Sequence, residues 1–579
     1  MTSTPVTAAD RDAWWRHAVV YQVYPRSFAD LDGDGLGDIP GLITRLDYLA
    51  DLGVDAIWIS PYYTSPLHDG GYDVADYRSI DSRLGTMDDV DALIDQAHAR
   101  GIRILMDIVP NHTSSEHPWF QELLGAGPGS PAWDRFIVRE GKGPNRETPP
   151  NNWRSVFHGA GWSRVRTPDG EPTGYWYLHL FDTTQPDLNW DNAEVHAEFR
   201  DILRFWFDRG IDGFRIDVAH GLVKEAGLPD FDYPETIDGE EPDVTPAMFG
   251  DDEAHAPFWD QDGVHDIYRE WRSVADEYDP PRIFCGETWV PNPERLARYQ
   301  RPDELQTSFN FIYFEAGWNG AKMRSTIDET IANHARVGAP PTWVLSNHDV
   351  IRHRTRMAPV VDGSVDLERG LSRARAATLF TLALPGSMYI YQGEELGLPE
   401  VLDLPAEARQ DPAWHRSGGT DGLRDGCRVP IPWAGDSPSY GFGPGSASWL
   451  PQPLDWAPLS VESQRGVNGS TLEMYREALR VRRESPALGE GPLEWLTDSD
   501  DVLAIRRTSD DGVAVIAVVN LTDSAVRLPA EWGTDVLLAS GPDVASLSTD
   551  DSAAPDDPQV AETSLAIGAE TAVWLGATS

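Results

Sequence analysis

The sequence predicts an α/β protein: a (β/α)8 barrel with a subdomain inserted after strand three and an antiparallel β-sandwich at the C-terminal end. Three observations carry that prediction. Short β-rich apolar runs alternate with longer segments of helical period, which is the pattern of βα units. The alternation breaks over about 113–190, a stretch rich in Pro, Gly, Trp and Asn, too long for a plain loop in a compact domain. Beyond about residue 495 helical periodicity stops while short strand-like runs continue. The divisions are therefore residues 1–112 and 191–494 for the barrel, 113–190 for the insertion, and 495–579 for the sandwich. A chain of 579 residues exceeds one ordinary core and suits this plan.

The elements follow in order. AVVYQVYP, ending near Pro25, is the first strand. PGLITRLDYLADLG reads as one helix with Leu42, Leu46 and Leu49 on a face and Gly53 as its stop. VDAIWIS is a buried strand. MDDVDALIDQAHARG is a helix with Val90, Leu93, Ile94 and Ala97 at i, i+3, i+4 and i+7. IRILMDIVPNH is continuously apolar, as a parallel core strand should be. After the insertion come the helix AEVHAEFRDILRFWFDRG and the strand GIDGFRIDVA. An irregular stretch over roughly 225–262 precedes the strand PRIFCGET, and QTSFNF, PTWVLSNHD and GSMYIYQGEE complete eight. DVLAIRR, VAVIAVVNL, DVLLAS and TAVWLGA, separated by turn residues, are the sandwich strands.

Ninety-four acidic residues against 47 basic ones leave a formal charge of −47. Such a surface repels nucleic acid and anionic membranes and disfavours phosphorylated ligands unless a basic pocket exists, which leaves neutral substrates open. Only Lys142, Lys224 and Lys322 are lysines. The two cysteines, Cys285 and Cys427, form no CxxC or zinc pattern. No run approaches the roughly 18 apolar residues of a membrane span. The N-terminal MTSTPVTAADRDAWW lacks the basic start and apolar stretch of a signal peptide. The expectation is a cytoplasmic protein with reduced thiols, a monomer or small homo-oligomer.

In a (β/α)8 barrel the site gathers at the C-terminal strand ends. Strand three ends in Asp107, Asn111 and His112, strand four in Arg215 and Asp217, strand five in Glu287, and strand seven in Asn347, His348 and Asp349. Converging carboxylates suit cleavage of a glycosidic bond, in which one acid stays protonated and another is ionised. Crowded like charges raise one pKa while Arg215 lowers another. The alternative reading of each acid is a helix cap or an arginine partner.

These strand ends resemble glycoside hydrolase family 13, the α-amylase family: DIVPNH, GFRIDVA, GETW and LSNHD are similar to its four ordered segments. The resemblance implies Asp217 as nucleophile, Glu287 as acid/base and Asp349 as transition-state stabiliser, with His112, Arg215 and His348 touching substrate. QPDLN (Gln185 to Asn189), YQGEELG and RDGCRVPIPW look like the oligo-1,6-glucosidase and α-glucosidase branch. That likeness implies a retaining exo-α-glucosidase acting on neutral oligosaccharides or glucosides. It further implies that Tyr72 of GYDVADY stacks on the terminal glucose, that Asp73 and Arg428 bind its outer hydroxyls, and that Phe157 and Phe181 line the entrance. Val218, after the nucleophile, resembles α-1,6-acting enzymes. The following AHGLVKEAGLPD looks more like actinobacterial α-glucosidases that accept maltose-type substrates, so the linkage stays open.

DLDGDGLGD places Asp30, Asp32, Asp34 and Asp38 around a glycine-rich turn, with a backbone carbonyl near Leu36; alternating carboxylates of this kind surround a hard cation with oxygens. It lacks the closing glutamate of an EF-hand. Family resemblance implies a structural Ca2+ or Mg2+ and no organic cofactor; a solvated acidic turn is the alternative. Cys285, two residues before Glu287, reads as packing. Rival functions are a transglucosidase or isomerase on the same fold, a trehalose-6-phosphate hydrolase, which would need a basic phosphate pocket, and a non-catalytic transporter-associated or carbohydrate-binding barrel.

Overall fold

The computed structural model describes residues 13–233, 256–489, 491–547 and 564–578. The first twelve residues of the N-terminal segment, and residues 234–255 within the second irregular stretch, lie outside the described residues. Eight parallel strands form the central sheet: β1 (Val19–Val23), β2 (Ala56–Ile59), β3 (Arg103–Ile108), β4 (Gly213–Ile216), β5 (Ile283–Gly286), β6 (Thr307–Ser308), β7 (Thr342–Val344) and β8 (Ser387–Tyr391). Their spatial order is β6-β5-β4-β3-β2-β1-β8-β7. The backbone bond from Asn310 N to Thr342 O, 3.2 Å, links the end of β6 to β7 and closes the barrel. Every residue of β1, β2, β4, β5 and β8 is buried, as expected where both sheet faces are covered.

The expected first helix is two, α1 (Ile39–Thr44) and α2 (Leu46–Leu52). The break at Arg45 is tertiary: its guanidinium bonds Gly441 O and lies 4.2 Å from the Trp433 ring centre. Gly53 ends α2 in the left-handed region at φ 94°, where a Cβ would be strained. Helix α3 (Met87–Ala99) starts with a Thr86/Asp89 capping box and buries Val90, Leu93, Ile94 and Ala97. Helix α4 (Ala193–Asp208) is capped by Asn192 and buries Phe199, Ile202 and Trp206. Helices α5 (Val264–Ala275), α6 (Gly320–Val337), α7 (Leu367–Leu382) and α8 (Thr471–Glu484) continue the outer layer.

Between β3 and β4 the chain forms two short helices, Pro118–Gly125 and Pro131–Asp134, and a small antiparallel sheet with Pro172–Leu178 between Val138–Glu140 and Trp162–Arg166. The bridge His112–Asp187 ties its exit to the end of β3. Ile137, Trp153, Trp162, Leu178 and Leu180 pack with Val218, Phe258 and Trp259, so this sheet sits over the end of β4.

The C-terminal strands are β9 (Leu493–Trp495), β10 (Val502–Thr508), β11 (Val513–Asn520), β12 (Val526–Arg527), β13 (Asp535–Ala539), β14 (Val544–Leu547), β15 (Ser564–Ile567) and β16 (Ala572–Thr578). They form sheets β9-β10-β11-β16-β13 and β12-β15-β14, with Ile516, Val518, Ile567, Val573 and Leu575 packed together. Trp574 faces the barrel and donates its indole N–H to Leu379 O of α7 at 3.0 Å. No helix among the described residues is long and apolar enough to cross a membrane.

Candidate active site

Parallel register fixes which side chains meet. Asp107 of β3 and Cys285 of β5 both align with Arg215 of β4, so the guanidinium emerges among three adjacent strands. Arg215 is fully buried, and its Nη1 donates to Asp107 Oδ1 at 3.0 Å and Asp217 Oδ1 at 2.6 Å. Its Nη2 pairs with Glu287 Oε2 at 2.9 Å. Burial works against the Arg215 charge, but Asp107, Glu287 and Asp217 reverse this and raise its pKa. Trp58 Nε1 and the Tyr72 hydroxyl each donate to Asp107 Oδ2 at 3.0 Å. Burial still pushes the Asp107 carboxyl up to about 7, and it raises that of Asp217 as well, aided by Glu287 and Asp107 and opposed by Arg215. Three carboxylates share one guanidinium, and burial holds Asp107 and Asp217 towards their protonated forms.

The turn after Asp217 holds Glu287. Val218 has φ 45°, a left-handed conformation that costs a β-branched residue about 1–3 kcal/mol. Its N–H donates to Glu287 Oε2 at 2.9 Å, while Trp289 Nε1 donates to Oε1 at 3.1 Å. Asp349, after β7, accepts from Arg428 Nη2 at 2.7 Å and Arg424 Nη1 at 3.3 Å, with His348 Nε2 3.2 Å from its other oxygen. Burial alone would raise its pKa; His348, Arg428 and Arg424 hold it well below the ordinary carboxylate range. His348 is itself pushed down to about 3 by burial and is neutral at pH 7, stacked at 5.2 Å on Tyr72.

These groups surround a cavity of about 360 Å3, within the range of small-ligand sites. Asp217, Glu287, Asp349, Tyr72, His112, Phe157, Phe181 and Val218, all singled out from the sequence, line it. Gln185, Arg215, His348 and Arg428 are buried outside the lining. Gln185 bonds Asp69 and His112, each at 3.1 Å, and Arg428 anchors Asp349 and His348 O, so these side chains position the wall.

Two expectations are corrected. Asp73 does not reach the cavity: its carboxylate is enclosed by Ser65 Oγ and the N–H groups of His68 and Asp69, at 2.9–3.1 Å. The carboxylate of that loop that lines the cavity is Asp69. Gly70, at φ 61°, sits where a Cβ would meet the Tyr24 hydroxyl at 2.7 Å, and so keeps this turn tight. Likewise the arginine at the wall is Arg424 rather than Arg428. Arg424 Nη2 donates to Asp69 Oδ1 at 2.9 Å and Asp411 Oδ1 at 2.8 Å, and its guanidinium lies 4.8 Å from the Phe157 ring centre. Both corrections were within reach of the sequence, since Asp69 and Tyr72 share the run HDGGYD and both arginines share RDGCR. Trp259, Trp289 and Glu315 also line the cavity; Trp289 closes the GETW run that carries Glu287, whereas no sequence signal set Trp259 and Glu315 apart from a packing aromatic and a surface acid.

In the acidic loop, oxygens of Asp30, Asp32 and Asp38 lie within 4.8 Å of one another. Asp34 is outside that group and accepts from Leu36 N at 2.7 Å. Asp38 also caps α1, accepting from Gly41 N at 2.5 Å. Burial raises the pKa of Asp30 and Asp38, and their acidic neighbours add to this. A three-carboxylate, all-oxygen set fits a hard divalent cation.

The family description "Alpha amylase, catalytic domain" matches residues 22–491. The chain is 36% identical over 546 residues to a probable alpha-glucosidase of Rhizobium meliloti, covering 90% of this chain and 92% of that protein. It is 34% identical to the oligo-1,6-glucosidase of Parageobacillus thermoglucosidasius, covering 92% and 95%. The crystal structure of XgtA, an alpha-glucosyl transfer enzyme, superposes with a TM-score of 0.82 at 34% identity, covering 97% of this chain and 99% of that one. With three carboxylates and one guanidinium at the strand ends of an eight-stranded parallel barrel, this chain belongs to glycoside hydrolase family 13, the α-amylase family, and is a glycoside hydrolase.

Proposed function

We propose that the chain is a retaining exo-α-glucosidase that releases α-glucose from the non-reducing end of short neutral α-glucosides. The observation that carries the reading is the Arg215 guanidinium bridging Asp217 and Glu287 on the cavity wall; double displacement requires their carboxyls to be about 5–5.5 Å apart. Asp217 attacks the anomeric carbon as Glu287 protonates the departing oxygen, leaving a covalent β-glucosyl enzyme. Glu287 then takes a proton from water, which attacks the same carbon and restores the α configuration. Asp349, kept ionised by its two arginines, stabilises the positive charge developing on the sugar ring. The Asp69–Arg424 pair closes one side of the cavity and offers polar partners to a terminal sugar's outer hydroxyls, which favours action at chain ends.

Transglucosylation is the second reading, favoured by the likeness to XgtA; a sugar hydroxyl would replace water in the second step. The proposal includes a structural Ca2+ or Mg2+ held by Asp30, Asp32 and Asp38, whose chemistry is charge neutralisation in the loop after β1. Both cysteines are free and buried, which suits a reducing cytoplasm.

The test is glucose release from maltose, isomaltose and sucrose, with Asp217→Asn as control and the product anomer followed by NMR. Release of α-glucose by the wild type and its loss by about 10⁴-fold or more in the variant are expected. Isomaltose favoured tenfold makes Val218 a linkage determinant; maltose favoured refutes that assignment. Initial release of β-glucose refutes retention, and oligosaccharide products at high substrate favour the transfer reading.

A further inference from the structure

Among the described residues, the cavity lining includes an acidic side chain that the reaction does not use. Glu315 lines the cavity, ends the short helix Phe311–Glu315 after β6, and is solvent-exposed. Among the described residues no hydrogen bond or ion pair engages its carboxylate. Two cations, Lys322 and Arg356, act on its charge; Arg356 is committed to Ile351 O and Leu345 O and lies over the Phe314 ring at 3.9 Å.

Its place relative to the reacting groups is set by Trp289. The Trp289 indole N–H is bonded to Glu287, and its ring stacks on Phe311 at 3.9 Å and 12°. Phe311 and Glu315 stand four residues apart on one helix, so the carboxylate lies one turn from the ring that backs Trp289. Glu287, Trp289 and Glu315 line the same cavity, so a leaving group protonated by Glu287 shares that space with the Glu315 carboxylate. The guanidinium that lines the cavity, Arg424, is already shared among Asp69, Asp411 and Asp349. Burial lowers the pKa of His112 and pushes His220 down to about 4, so both are neutral at pH 7.

Resting on the α-glucosidase reading, we infer that Glu315 selects the leaving group: it accepts the hydroxyls of a neutral sugar, favours an amine-bearing one, and repels one that carries a phosphate. The cleavage steps are unchanged; only the chemical class of the aglycone is set.

The experiment compares maltose with maltose phosphorylated at O6 of the reducing-end ring and with the 6-amino analogue, using wild type, Glu315→Gln and Glu315→Asp. Glu315→Gln is expected to raise the ratio of kcat/KM for the phosphorylated over the neutral sugar about tenfold and to lower the amine-to-neutral ratio. Glu315→Asp should keep the wild-type ratios. The differences should shrink as salt rises from about 0.05 to 0.5 M. Ratios that stay within twofold in Glu315→Gln overturn the inference. Calorimetric binding of the three sugars to Asp217→Asn, with and without Glu315→Gln, reads the same selection without turnover. If the wild type hydrolyses none of the sugars, the glucosidase reading fails, while the binding ratios still decide the role of Glu315.

Discussion

Replacing Asp69 and Asp73 separately by Asn distinguishes the cavity carboxylate from its neighbour four residues on. Asp69 Oδ1 faces Arg424 at 2.9 Å and Oδ2 faces Gln185 at 3.1 Å, with the side chain on the cavity wall. In Asp69→Asn the Arg424 guanidinium keeps Asp411 at 2.8 and 3.0 Å and Asp349 at 3.3 Å, so the wall stays anchored and the loss is local. A hydrogen bond from a substrate hydroxyl to a charged group is worth about 1.5–3 kcal/mol. At about 1.4 kcal/mol per decade, that loss lowers kcat/KM on maltose by roughly 10- to 150-fold. Asp73 is fully buried and accepts three hydrogen bonds within its own loop. An Asn there sets an amide donor against loop donors and leaves a buried group unsatisfied, at about 1–3 kcal/mol of stability. Initial rates of glucose release at temperatures well below unfolding, paired with scanning calorimetry, separate the two effects. Asp69→Asn should lose activity at an unchanged midpoint, and Asp73→Asn should lose midpoint with kcat/KM largely kept. The opposite ranking of kcat/KM refutes the assignment of Asp69.

Burial pushes Asp107 and Glu400 up to about 7 and Glu394 up to about 8. A carboxyl raised on folding holds a proton that the unfolded chain releases above about pH 4, so stability falls as pH rises towards the folded value. The thermal midpoint should drop as pH rises from about 5 to 8 and level off above. Glu394→Gln, which keeps an acceptor for Tyr391 N, should flatten that drop; a midpoint level to pH 8 refutes the shift. Chelation by EDTA followed by millimolar Ca2+ should lower and then restore the midpoint, by RT ln(1 + [L]/Kd), about 2.7 kcal/mol at a hundredfold excess over Kd. Asp32→Asn, at the exposed carboxylate of the proposed cation site, should abolish the response, and no response to Ca2+ or Mg2+ in the wild type removes the metal from the proposal. Trp574→Ala should cost about 3–5 kcal/mol, read by denaturant unfolding, because it empties a fully buried site between α7 and the C-terminal sheet. A cost below about 1 kcal/mol would mean that the sheet does not depend on this contact.

The alternation of apolar strands and amphipathic helices was sufficient to locate the barrel, because a parallel strand buried on both faces and a helix buried on one write different periods into the chain. Val90, Leu93, Ile94 and Ala97 are buried as their spacing requires, and Asp217, Glu287 and Asp349 close the strands that were expected to carry them. Local pattern also indicated the acidic turn, but it could not show that Asp34 bonds its own loop instead of joining the other three aspartates. The break at Arg45 was not legible, since Trp433 and Gly441, which hold that side chain, lie nearly 400 residues away. The choice between Asp69 and Asp73, and between Arg424 and Arg428, was of the same kind. Both members of each pair sit in one short run, and only packing against Gln185, Asp411 and Asp349 decides which charge faces the cavity and which is spent on backbone donors or on a neighbour. Residue types and spacing alone therefore determined which strands and carboxylates build the site. The tertiary structure decided which side of each loop faces the substrate, because that depends on partners brought together only when the barrel closes.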